Sequence, residues 1–97
     1  MRAVLVNQFS PVRSLQIEEI PSPDVSPGQV RVRVKAAGIG FVETLKIGGL
    51  YQTKDPLPFV PGMEFSGIVE EVGEGVSQPG VGMRVFGLAP RGALAEE

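Results

Sequence analysis

The chain has 97 residues, with 9 Lys plus Arg against 11 Asp plus Glu, and a formal net charge of −2. That length supports one modest core and not two, and the charge balance argues against nucleic acid or an anionic membrane surface as a partner. Cys and His are both absent, which excludes a disulfide framework, a Cys/His zinc site, cysteine nucleophiles and serine–histidine triads together.

The N-terminus MRAVLVNQF lacks the long apolar stretch of a secretory signal. Pro, Gly or charge interrupts every apolar run before it reaches the length of a membrane span. A soluble cytoplasmic protein is the expectation. The 13 Gly and 9 Pro indicate many turns and no long helix.

RAVLVN (2–7) and LQIEEI (15–20) read as short strands around a turn containing Ser10 and Pro11. PSPDVSPG (21–28) holds prolines that each remove a donor and fix φ, so it reads as an extended connector. In QVRVRVKA (29–36), Val30, Val32 and Val34 alternate with Arg31, Arg33 and Lys35. This is the pattern of a half-buried strand with one wet face, whose basic stripe is either solvated or free to bind an anion.

FVETLKI (41–47) changes to helical spacing. Phe41 and Leu45 are four apart, Val42 and Leu45 three apart, and Glu43 can reach Lys46. Gly48-Gly49 then ends a helix of one or two turns. DPLPFVPG (55–62) is another proline-punctuated crossing, FSGIVEEVG (65–73) a strand, EGVSQPGVG (74–82) a turn cluster and MRVFGL (83–88) a strand. ALAEE (93–97) reads as the opening of a further strand. The glycine-rich stretch GEGVSQPG (73–80) resembles a phosphate loop only superficially, because Pro79 and the polar run keep it from opening a helix. These elements predict a mainly β fold over residues 1–97, a small barrel or curled sheet with one short helix.

One carboxylate stands out. Glu64 lies between Met63 and Phe65, just after a Pro-Gly turn, and ionised carboxylates are rarely set among apolar neighbours without a partner. It is either a solvated strand-start charge or part of a site.

The segments AAGIGFVETLKIGGLY (36–51), LPFVPGMEFSGIVEEVGEGV (57–76) and GVGMRVFG (80–87) follow one another in an order and spacing that resemble a known family. It is the N-terminal catalytic domain of the medium-chain dehydrogenase/reductase superfamily, within it the zinc-independent quinone oxidoreductases of the zeta-crystallin-like branch. The resemblance covers essentially the whole chain and implies a GroES-like, partly open β-barrel. It also implies a Rossmann domain that binds NADPH and is absent here, so the chain is expected to be one domain of a larger enzyme and inactive alone. No NADPH binding at micromolar concentration is expected of it.

The same resemblance supplies site residues. Gly40 stands where zinc-dependent relatives have a cysteine and quinone oxidoreductases usually an asparagine; Met63 stands where zinc-dependent relatives have a histidine. Phe41 matches a phenylalanine of the cleft wall, and Leu45 stands where some members have a tyrosine. Tyr51 matches a tyrosine that points at the substrate, and Glu64 a carboxylate at the cleft base, read here as organising the site and not donating a proton. The implied reaction is hydride transfer, without metal, from a nicotinamide to a quinone or an α,β-unsaturated carbonyl (enone), in which orientation in a dry cleft and donors to the growing oxyanion supply the acceleration. Two other readings share the scaffold: a non-catalytic binding protein like the vesicle-associated relatives, and a co-chaperonin-like ring subunit. Strand edges left uncovered near 95–97 invite pairing between copies, so a homodimer is expected.

Overall fold

The computed structural model describes residues 1–97. Strands β1 (Arg2–Leu5) and β2 (Gln16–Glu19) pair antiparallel, Arg2 opposite Glu19 through Leu5 opposite Gln16. A single 3₁₀ turn, Val12–Ser14, follows Pro11 between them. A second sheet has the order β3–β4–β5, all antiparallel: β3 (Val30–Gly38), β4 (Glu64–Val72) and β5 (Arg84–Leu88). Helix α1 (Phe41–Gly48) bridges β3 and the long crossing to β4. The two sheets do not close into a continuous ring, so the fold is the mainly β, partly open GroES-like architecture that the motifs imply. No helix is long and apolar enough to cross a membrane.

The core is small and lies under α1. Val6, Ile47 and Phe59 form its centre, with Phe9 and Leu15 packed against them. Phe9 and Phe59 meet at a tilt, ring centroids 6.5 Å apart. Val6 and Phe59 also exchange backbone hydrogen bonds at 2.8 and 3.1 Å, so the crossing 52–63 is stitched to the end of β1 by both backbone and side chain. Apolar burial of this kind contributes about 25 cal/mol per Å² removed from water.

The helix begins and ends where the sequence places it. Gly49 takes the left-handed conformation at φ 72° and closes α1, with the Leu50 N–H returning to the Leu45 carbonyl at 2.8 Å. Its buried face, however, is rotated from the expected one. Glu43 and Ile47 point inward, whereas Phe41 is 76 % exposed. The cause is degeneracy: Phe41/Leu45 and Glu43/Ile47 share the same four-residue spacing, and the core sits under the second pair.

Two of the three residues in the basic stripe of β3, Arg31 and Arg33, are held by carboxylates, while Lys35 is exposed. Arg31 lies opposite Glu71, but the next pair is Val32 with Val69, so Glu70 is an extra, bulged residue on β4. The bulge brings the Glu70 carboxylate to both guanidiniums, Arg31 Nε at 2.9 Å and Arg33 Nη2 at 3.1 Å. Arg31 also pairs with Glu71 at 2.9 Å and Glu97 at 3.4 Å. Hydrogen bonding to the Glu97 carboxyl, then to Arg31 and Arg33, pulls the Glu70 carboxyl down to about 2. The Arg31 guanidinium is raised above its ordinary value, chiefly by its bond to Glu70.

Residues 93–97 also depart from the expectation of an uncovered edge. The Val4 N–H bonds the Leu94 carbonyl at 2.9 Å, Glu96 N–H the Arg2 carbonyl at 3.1 Å, and Ala3 bridges Ala95. The Val34 N–H bonds the Glu96 carbonyl at 2.8 Å, so the same segment ties β1 to β3. The Arg2 backbone N–H, 2.5 Å from Glu96 Oε1, holds that carboxyl below its ordinary range. The exposed edge beside a large apolar surface belongs to β5, which pairs only with β4 and displays Phe86 and Leu88.

Candidate functional site

Gly40 is the residue that caps α1, in extended conformation, with its N–H bonded to Glu43 Oε2 at 2.8 Å. That bond satisfies one of the donors a helix start leaves orphaned. The absence of a side chain matters here, because a Cβ on Gly40 would stand 3.2 Å from the same oxygen. Glu43 is only 4 % exposed, and its other oxygen, Oε1, is buried without a hydrogen-bond partner. The sequence reading used Glu43 as a surface partner for Lys46. The signal it passed over is position: an acid at the third residue of a helix whose cap has no side chain of its own.

Phe41 projects into solvent at the start of α1 next to Ile39, and Leu50 lies just past its end; Ile39 and Leu50 are 73 % and 77 % exposed. Leu45 is half-buried behind it. Tyr51, also half-buried, follows the helix, and the Lys46 ammonium stands 5.7 Å from its ring centroid, within cation–π range. The Tyr51 hydroxyl makes no hydrogen bond within the chain. Lys46 turns away from Glu43 and donates to the Pro90 carbonyl at 3.1 Å. The neighbouring Ala89 N–H bonds the Met63 carbonyl at 2.7 Å. The 89–90 stretch therefore bonds both the helix, at Lys46, and the residue before β4, Met63.

Glu64 opens β4, opposite Gly38 on one side and Leu88 on the other. It is exposed and has no hydrogen-bond partner; its carboxylate lies over the bare Cα of Gly38. It lines an open trough of about 600 Å³ with Ala36, Ala37, Phe65, Phe86 and Leu88 among its walls. Of the six residues singled out in the sequence, only Glu64 lines that trough. Gly40, Phe41, Leu45 and Tyr51 form a separate group along α1, and Met63 adjoins Glu64 in the chain. Phe86 and Leu88, 88 % and 80 % exposed, were missed because their alternation with Val85 and Gly87 reads as an ordinary strand face. No three His, Cys, Asp or Glu side chains converge in a way that would hold a metal ion.

Known proteins give this geometry a context. The chain is 44 % identical over 96 residues to quinone oxidoreductase-like protein 2 of Mus musculus, which covers 99 % of the chain and 27 % of that protein. Among solved structures, the human synaptic vesicle membrane protein VAT-1 homolog-like protein superposes with a TM-score of 0.93 at 34 % identity, over 99 % of this chain and 31 % of that one. Escherichia coli quinone oxidoreductase complexed with NADPH superposes with a TM-score of 0.89 at 31 % identity, over 99 % and 29 %. The chain thus spans under a third of the length of these relatives. The likeness to medium-chain dehydrogenases/reductases read from the motifs is borne out. Residues 26–95 match the Alcohol dehydrogenase GroES-like domain, and the chain belongs to that family.

Proposed function

We propose that this chain is the substrate-side domain of a cytoplasmic, NAD(P)H-dependent quinone or enone oxidoreductase. The observation that carries the reading is the trough: a wide apolar surface of Phe65, Phe86 and Leu88 whose one charged wall residue, Glu64, is unpaired. A flat, apolar ring with a carbonyl matches that surface by shape and by polarity.

The residues fit one end of a nicotinamide cofactor. Ile39, Phe41 and Leu50 offer exposed apolar surface to a ring. Lys46 and Arg91 are committed to Asp55, and Arg31 and Arg33 to Glu70, so these four cations are occupied within the chain. When bound, the cofactor supplies a hydride; its phosphates belong to another domain. Gly40 and Met63 bring no oxygen or nitrogen side-chain donor to the place where zinc-dependent relatives bind metal, which supports a route without it.

In this reading Phe65, Phe86 and Leu88 hold the acceptor ring and exclude water from it. Phe41 and Leu45, in the separate group along α1, are assigned to the nicotinamide side, and Met63 adjoins Glu64 in the chain. Glu64 repels the negative charge that grows on the acceptor oxygen, so the oxygen is directed away from β4. Tyr51, with its free hydroxyl, is the donor assigned to that oxygen. Gly40 keeps the start of α1 open beside the ring. A homodimer through the free edge of β5 belongs to the same proposal.

Calorimetric titration of the chain with a water-soluble naphthoquinone tests the acceptor placement. Saturable binding is expected, weakened about ten-fold by Phe86→Ser; no binding, or binding indifferent to that change, overturns it. Titration with NADPH is expected to give no isotherm, and a clear one would put the cofactor on this chain. The likeness to a synaptic vesicle membrane protein VAT-1 homolog-like protein as well as to oxidoreductases supports a second reading on the same scaffold, a binding protein without turnover. A longer polypeptide carrying this chain that binds NADPH yet reduces neither naphthoquinones nor enones would select it.

A further inference from the structure

Lys46 and Asp55 bracket Tyr51 in sequence, and the fold brings the two charges together. Lys46 Nζ is 3.8 Å from Asp55 Oδ2, with the two side chains only 13 % and 15 % exposed. Asp55 Oδ1 accepts from Arg91 Nη1 at 3.1 Å. Asp55 therefore stands between one cation from α1 and another from the stretch after β5. Its Oδ2 is buried and has no hydrogen bond. An ammonium drawn this far out of water needs compensation, and Lys46 finds it in the Pro90 carbonyl and this carboxylate.

The 46–55 segment is thus closed on itself by an ion pair, and Tyr51 rides on the closed segment with its ring beneath the Lys46 ammonium. The 89–92 stretch anchors the pair from outside through Pro90 and Arg91, and it also bonds Met63 and Val60 at 2.7 and 2.8 Å. We propose that Lys46, Asp55 and Arg91 form a charge clamp whose role is to position Tyr51. The three are positioning residues. The importance of the clamp for the acceptor rests on the function proposed above; its existence rests on this geometry alone.

Tyr51 is the only tyrosine and tryptophan is absent, so intrinsic emission reports one position. Acrylamide quenching of the whole chain, well below its melting transition, reads how freely that ring is reached. Asp55→Asn keeps the shape and removes the charge, and the quenching constant is expected to rise about two-fold. Lys46→Met should do the same, Asp55→Glu should restore the original value, and Arg91→Gln, at the exposed end, should give a smaller rise. If Asp55→Asn unfolds the chain, Arg91→Gln still decides. Unchanged quenching in the folded variants, or no rescue by Asp55→Glu, overturns the clamp. If quenching rises in Asp55→Asn while naphthoquinone affinity is unaltered, the clamp stands and Tyr51 loses its part in acceptor binding.

Discussion

Gly38 and Glu64 are register partners across β3 and β4, and the glutamate side chain occupies the space that a Cβ on Gly38 would need. The obstacle is an exposed, unpaired side chain from its Cγ outward, so a rotation about its first side-chain bond clears it. Gly38→Ala is therefore expected to change melting by less than about 0.5 kcal/mol while displacing Glu64 from the trough. Glu64→Gln should be equally neutral for stability but alter naphthoquinone affinity. A large loss of stability in either variant would mean that Glu64 holds the sheet together.

Gly67, three residues further along β4, makes the opposite prediction. A Cβ there would strike the Arg33 carbonyl, a backbone atom in a paired strand that cannot move alone. Gly67→Ala should destabilise by about 1–3 kcal/mol in chemical denaturation. A neutral result would mean that the β3–β4 pairing yields at Gly67.

For Glu43, the bond to Gly40 and the unpartnered Oε1 separate two substitutions. Glu43→Ala orphans the Gly40 N–H and opens a void, for a loss of about 1–3 kcal/mol. Glu43→Gln can keep the Gly40 bond through its amide oxygen while removing a buried charge, so its melting should stay close to that of the parent. Equal losses in the two would show that the charge itself matters.

Glu70 gives a dependence on acidity with a fixed sign. Its folded value, about 2, lies below the ordinary 4.5, so its contribution is full above 4.5 and is lost as the solution is acidified towards 2. The groups that face it are Arg31, Arg33 and Glu97, with Glu71 sharing Arg31. Denaturation at pH 7, 4 and 2, values chosen to span that window, should show the parent losing stability on acidification and Glu70→Gln losing less. Parallel decline of the two would remove Glu70 as the source.

Most elements were legible in the sequence because their signals are local. The Val/Arg alternation of β3, the helical spacing after Gly40, the closing Gly49 and the Pro-rich crossings all act within a few residues. What escaped depends on partners far along the chain. The Glu70 bulge exists only relative to β3, and the rotation of α1 is decided by Val6 and Phe59, not by the helix. The candidate site divides the same way. Motif resemblance led to Gly40, Phe41, Leu45, Tyr51, Met63 and Glu64, but no local pattern could bring Asp55 to Lys46 or show that Phe86 and Leu88 share a trough with Glu64.

The bridge between Ala3 and Ala95 has a kinetic consequence. The seam joining the two sheets is made by residues far apart in the chain, so β1, although already paired with β2, is fastened to the second sheet only when the segment after β5 is in place. Assembly of such a topology is governed by the search for remote partners, and refolding should be correspondingly slow, in the millisecond-to-second range of β-rich folds. Until that seam forms, the outer edge of β1 is unpaired and open to capture by other chains.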